Sequence, residues 1–185
     1  MNFEKPSVVL CEDDKSALDL YNILISIYPK DSICYFPAHD SLPFSDEKSS
    51  KEILLERSFQ LIKLQNQNII IISCNNLLKK FSIQHDSKHY FKLEINQEIS
   101  LSETLETLVN FEHVNNANVY NRCEFSHRGD ILDIYNFHRN PFRISFFDNT
   151  IESIKEFSPQ TQLTNKKFLN SITIVNPNFE NNINS

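Results

Sequence analysis

The sequence predicts an α/β chain in two parts: a partial parallel sheet with helices, followed by a smaller α+β module built on an antiparallel meander. Three observations predict it. Apolar β-branched runs alternate with helical patterns through residues 1–81; from residue 82 short strands follow one another across polar turns; and one helix with a capping signature stands among them. Strands separated by helices return parallel, because a parallel return needs a crossover, whereas strands joined by tight turns pair antiparallel. A chain of 185 residues with 40% hydrophobic content can bury a real core.

Ser7 to Cys11, SVVLC, is a short β-branched strand. Lys15 to Tyr28 follows as a helix in which Ala17, Leu18, Tyr21, Leu24 and Ile25 recur at helical spacing, with Asp13 or Asp14 suited to the N-cap and the positive end of the helix dipole. Pro29 stops it, and Ser32 to Phe36, SICYF, is the next strand. A polar connection with Pro37 and Pro43 leads to a helix from Ser50 to Gln65, whose apolar stripe comprises Ile53, Leu54, Phe59, Leu61, Ile62 and Leu64 around Arg57 and Lys63. Asn68 to Cys74, NIIIISC, has the unbroken apolar character of a central parallel strand, and Asn75 to Phe81 reads as a short helix.

In the second part Tyr90 to Ile95 alternates as a strand, and Ser100 to Asn110 is an amphipathic helix whose Ser100 and Glu103 have capping-box spacing. Three strands are expected next: Arg122 to Tyr135, Phe142 to Phe147 and Thr150 to Phe157, with Asp148-Asn149 as a hairpin turn. The expected division is 1–81, 82–167 and a disordered tail at 168–185 that ends in the Asn-rich NPNFENNINS.

The net charge of -6 argues against broad binding to a phosphate backbone, which needs a dense cationic surface. There is no apolar run of the roughly 18 to 20 residues that span a bilayer, and the N-terminus lacks the layout of a signal peptide, so a cytoplasmic location is expected. Cys11, Cys34, Cys74 and Cys123 are far apart, without zinc-site spacing, and are expected as buried structural thiols. With a single glycine no phosphate-cradling loop is possible. Asp46-Glu47 lies in a polar loop, His85 and His89 have no third ligand nearby, and Ser126-His127 lacks a nucleophile elbow, so no catalytic residue, cofactor or metal is assigned.

The stretch from Glu124 to Phe157, EFSHRGDILDIYNFHRNPFRISFFDNTIESIKEF, is more informative. It holds the only glycine, Gly129, beside Arg128, where a bulge or tight bend would aim the arginine. Alternation in PFRISFF sets Arg143, Ser145 and Phe147 on one face of a strand, a mixture that suits neither core nor solvent. Ordinary surface cations and a Phe147 displaced into the core by a bulge would explain it. Arginines and an exposed aromatic gathered as a binding surface would explain it too.

FPAHDSLPF with the later Arg57, NIIIISCNNLLKKF, and above all EFSHRGDILDIY followed by PFRISFFDNTIESIKEFSPQTQ resemble the N-terminal region of bacterial transcription-repair coupling factors (Mfd), itself similar to the excision-repair protein UvrB. The resemblance covers residues 6–167. It implies that residues 1–81 are part of a degenerate helicase-like α/β domain without a P-loop. It implies that residues 82–167 are the module through which these proteins bind UvrA, with Arg128, Arg143 and Phe147 as the protein-binding residues and Gly129 as structural support. It further implies a non-catalytic role in nucleotide excision repair, with DNA and RNA polymerase engaged only indirectly, through parts of the family protein that this chain lacks. The alternatives are an inactive portion of an ATP-dependent DNA translocase, or a UvrB-like fragment. The family's FFGDE-like turn has no glycine here and reads Phe147-Asp148-Asn149-Thr150.

Overall fold

The computed structural model describes residues 7–29, 32–41, 49–63, 69–78, 89–137 and 140–177. The chain divides into two units, the second running from Asp86 to Pro177. The architecture is mixed α/β, with a parallel sheet in the first unit and, in the second, sheets that are antiparallel except for one parallel edge pairing, Val114–Asn115 beside Glu124–Arg128.

In the first unit the strands β1 (Ser7–Cys11), β2 (Ile33–Phe36) and β3 (Ile69–Ser73) form a parallel sheet in the order β1-β3-β2. The most apolar run, β3, is central, as its lack of alternation predicts. Helix α1 (Asp14–Ile27) covers one face: Ala17 packs with Ile33 and Ile71, and Leu20, Tyr21, Leu24 and Ile25 lie against them. Its N-cap is Asp13, which accepts from the Ser16 amide at 2.7 Å. Helix α2 (Lys51–Lys63) brings Leu61 against Cys34 and Phe36 on the other side.

The stripe on α2 differs from the expected one. Phe59 is half-buried with the Lys63 ammonium 4.3 Å from its ring centroid, whereas Arg57 and Ser58 are buried. Arg57 lies over the Phe36 ring and donates to the Pro37 carbonyl and to Asn76 Oδ1, so it staples the ends of β2 and β3 from inside. The Asp14 carboxylate joins the same ends, accepting from Ser73 Oγ at 2.7 Å and from the Ala38 amide at 3.3 Å. Cys34 and Cys123 are buried and Cys11 half-buried, but Cys74 is exposed, because β3 ends at Ser73 and Cys74 opens a 3₁₀ turn, Cys74–Leu78. Asp46-Glu47 and His85 lie outside the described residues.

The second unit is built on a six-stranded sheet in the order β10-β9-β8-β7-β6-β5. Its strands are β5 (Val114–Asn115), β6 (Glu124–Arg128), β7 (Ile131–Tyr135), β8 (Phe142–Phe147), β9 (Thr150–Phe157) and β10 (Thr164–Phe168). The expected strand from Arg122 to Tyr135 is therefore two strands. Gly129 takes φ +58° and, with Asp130, closes a hairpin. A left-handed residue at the first loop position reverses the chain where an apolar pattern alone reads straight through.

Helix α3 (Leu101–Asn110) carries the predicted capping box, with the Glu103 amide donating to Ser100 Oγ and the Ser100 amide to Glu103 Oε2. Leu108 from α3 joins one core with Phe125, Leu132, Ile134, Ile144 and Ile154 of the sheet. A bulge in β9 sets Ser145 opposite Ser153 but Phe146 opposite Ile151, which lets Ile151 and Ile154 both face this core.

The tail departs from expectation. Residues Ser171–Val175 form a strand, β11, antiparallel to β4 (Tyr90–Glu94), with Ile172, Ile174 and Val175 buried. Alternating β-branched residues meet an unpaired strand whose apolar face already belongs to the core, and the pairing completes it. Residues 178–185 lie outside the description.

Candidate functional site

One face of the six-stranded sheet carries the core; the other carries the residues singled out by alternation. Arg128 on β6 pairs in register with Ile131 on β7, and Ile131 pairs with Ser145 on β8. Arg143 and Phe147 flank Ser145 along β8, two residues away on either side. With about 4.8 Å between strands and about 3.4 Å per residue, the three side chains leave the sheet around one centre within some 10 to 14 Å of one another.

Phe147 is 71% exposed at the end of β8. A bulge does not turn it inward, because the extra residue sits in β9 and the alternation of β8 runs on unbroken. The turn beside it uses Asp148 at φ +52° in place of glycine. That turn is held from outside: the Ile99 amide donates to the Asn149 carbonyl at 2.7 Å, and Glu98 bridges Thr150. An exposed aromatic on a pinned hairpin loses little freedom when a surface covers it.

The two arginines converge on a residue that the sequence pattern did not single out. Asp133 on β7 sits opposite Arg143, and only 1% of its side chain is exposed. Arg143 binds it in a fork, Nε to Oδ1 at 2.7 Å and Nη2 to Oδ2 at 2.8 Å. Arg128 Nη2 reaches Oδ2 at 3.2 Å, while its side chain stays 55% exposed. Arg143 also donates from Nη1 to the Gln162 carbonyl at 3.3 Å and lies 4.9 Å from the centroid of the buried Phe157 ring. The hydrogen bonds to Asp133 raise the Arg143 guanidinium pKa further above its already high value, against a smaller opposing effect of burial.

Two loops close over this cluster. Ser126 Oγ donates to the Ala117 carbonyl at 3.0 Å, and Gln162 Nε2 to the Val119 carbonyl at 3.0 Å. Gln162 itself stands at φ +59°. These loops bury the carboxylate and leave Arg128 and Phe147 outside. Two guanidiniums on one carboxylate carry a net positive charge on a chain of net charge -6. Such an arrangement can receive an acidic group and an apolar side chain; it holds no group placed to activate a nucleophile. Among the described residues no cluster of three or more His, Cys, Asp or Glu could hold a metal ion, and no helix is long and apolar enough to cross a membrane.

A signal for Asp133 does exist in the sequence. Aspartate is depleted in strands, and here it interrupts the apolar run ILDIY on the side that alternation assigns to the polar face.

Residues 91–178 match the family described as the UvrB interaction domain. The chain is 30% identical over 169 residues to the transcription-repair-coupling factor of Rickettsia bellii (strain RML369-C), a match covering 89% of this chain and 15% of that protein. With the transcription-repair-coupling factor of Rickettsia conorii (strain ATCC VR-613 / Malish 7) it shares 31% identity over 199 residues, 98% of this chain and 18% of that protein. Similarity reaches Staphylococcus haemolyticus (strain JCSC1435), whose transcription-repair-coupling factor is 31% identical over 135 residues, 70% of this chain and 11% of that protein. The chain thus spans less than a fifth of the length of these curated relatives.

Proposed function

We propose, from the match of residues 91–178 to the UvrB interaction domain family, that the chain is a non-catalytic protein-binding region that recruits UvrA in nucleotide excision repair. The observation that carries this is the joint display of Arg128, half-exposed, and Phe147, 71% exposed, around two arginines gathered on one buried carboxylate. Arginine and aromatic side chains dominate binding energies where water is excluded around them. Arg128 would meet an acidic group of UvrA and Phe147 an apolar one, with Arg143 completing the positive surface.

Titration of purified UvrA with the wild-type chain and with Arg128→Ala and Phe147→Ala tests it. Each substitution is expected to weaken binding by about 2 kcal/mol or more, the cost of removing a central interface residue. Equal affinities for all three would overturn the assignment. Arg143→Ala is a poorer probe, because it also strips the buried Asp133 of its principal partner and so lowers stability.

A second function is favoured by the small share of the relatives' length that the chain covers. The chain would then be the inactive portion of an ATP-dependent DNA translocase. A downstream coding sequence in the same frame, carrying motor motifs, would support it.

A further inference from the structure

We infer that Asp133 is a positioning residue for the docking surface, holding Arg128 and Arg143 where an acidic group of the partner can meet them; this rests on the proposed UvrA-binding role. The carboxylate is 1% exposed, opposite Arg143 and between the core residues Leu132 and Ile134. Buried charge of this kind is a poor device for stability, since apolar replacements of buried ion pairs are often neutral or stabilising. Its geometry is instead that of a clamp. Arg143 spends Nε and Nη2 on Asp133 and Nη1 on the Gln162 carbonyl, so its place is fixed. Arg128 spends only Nη2, at 3.2 Å, and is 55% exposed, so its remaining donors face outward. Without the carboxylate the two like charges would repel each other, and Arg128 would have to be ordered anew at each encounter.

The partner chemistry follows from the charge left over. One carboxylate neutralises one of the two guanidiniums, so the site suits a single acidic side chain beside an apolar one that covers Phe147. A phosphate backbone would need many more cations than this.

Calorimetric titration of UvrA with the full chain, as wild type, Asp133→Asn, Arg128→Ala and the double variant, tests the inference. Asp133→Asn keeps the size of the side chain and removes its charge. The expected result is a variant with an unchanged circular-dichroism spectrum that binds at least tenfold more weakly. Arg128→Ala should also cost less in the Asp133→Asn background than in wild type, a coupling that a merely structural role would not produce. A folded Asp133→Asn chain that binds as wild type, or losses that simply add, would overturn the clamp while leaving UvrA docking intact. If the wild-type chain does not bind UvrA, the docking role falls and the inference with it. Should Asp133→Asn fail to fold, proton exchange at Arg143 Nε in the wild-type chain decides: slow exchange supports the clamp, and exchange as fast as in a free arginine overturns it.

Discussion

Gly129 shows how a single residue acts through its backbone alone. It stands at φ +58° between β6 and β7, and a Cβ added there would meet no atom within 4 Å. Gly129→Ala is therefore expected to cost about 1 to 2 kcal/mol, the penalty of holding an L-residue in the left-handed region, and Gly129→Asn less. Urea denaturation midpoints check it. A loss well above that range would mean that Gly129 is needed for packing. The next hairpin places Asp148 at φ +52° and manages without glycine, which makes the asparagine variant a fair comparison. At this scale the mixed face of β8 was legible, because strand alternation fixes Arg143, Ser145 and Phe147 on one side. Asp133 was not, although the same alternation puts it on that side. An isolated aspartate reads as solvent surface until the loops through Ala117, Val119 and Gln162 close over it, and nothing periodic encodes that closure.

Among the elements, β2 carries a pH dependence of its own. Burial pushes the Cys34 thiol from 9.0 up to about 12, against a smaller lowering effect of Lys63. Burial, reinforced by Asp14 and Glu56, pushes the neighbouring Tyr35 hydroxyl from 10.0 up to about 12. Both groups are neutral when protonated, and both hold their protons more tightly in the folded chain. Their stabilising contribution is complete below about pH 9 and is lost as pH rises towards 12. Urea midpoints followed by backbone circular dichroism should fall across that window, and Cys34→Ala, though less stable throughout, should fall less between pH 9 and 10. A midpoint that stays flat to pH 12 would contradict the burial of β2. Elements whose signals are local were legible in the sequence: an aspartate cap at Asp13 or Asp14, of which the structure uses Asp13, the Ser100–Glu103 box and the unbroken apolar run of β3. The bend at Gly129 was legible, but not that it divides Arg122 to Tyr135 into two paired strands; β11 was not legible, because its partner lies far back at Tyr90–Glu94.

For the whole molecule, the question is which part can stand alone. Among the described residues the second unit has one core, contributed by α3, β4, β6 to β9 and β11, all between Asp86 and Pro177. A fragment of residues 86–177 is therefore expected to unfold cooperatively by itself and to keep any affinity for UvrA that the full chain has. Ending it at residue 167, where the sequence pattern suggested that order stops, should destroy it. Ile172, Ile174 and Val175 would leave the core, and each buried aliphatic side chain contributes about 1.5 to 3 kcal/mol. The buried Asn136 would also lose the Val175 carbonyl it donates to and the Val175 amide it accepts from. Together these losses match most of the roughly 5 to 15 kcal/mol that hold a typical domain. Circular dichroism during urea denaturation separates the outcomes. Equal midpoints for the two fragments would make β11 an accessory strand, and a fragment of residues 86–177 without a cooperative transition would mean that its core needs support from elsewhere in the chain.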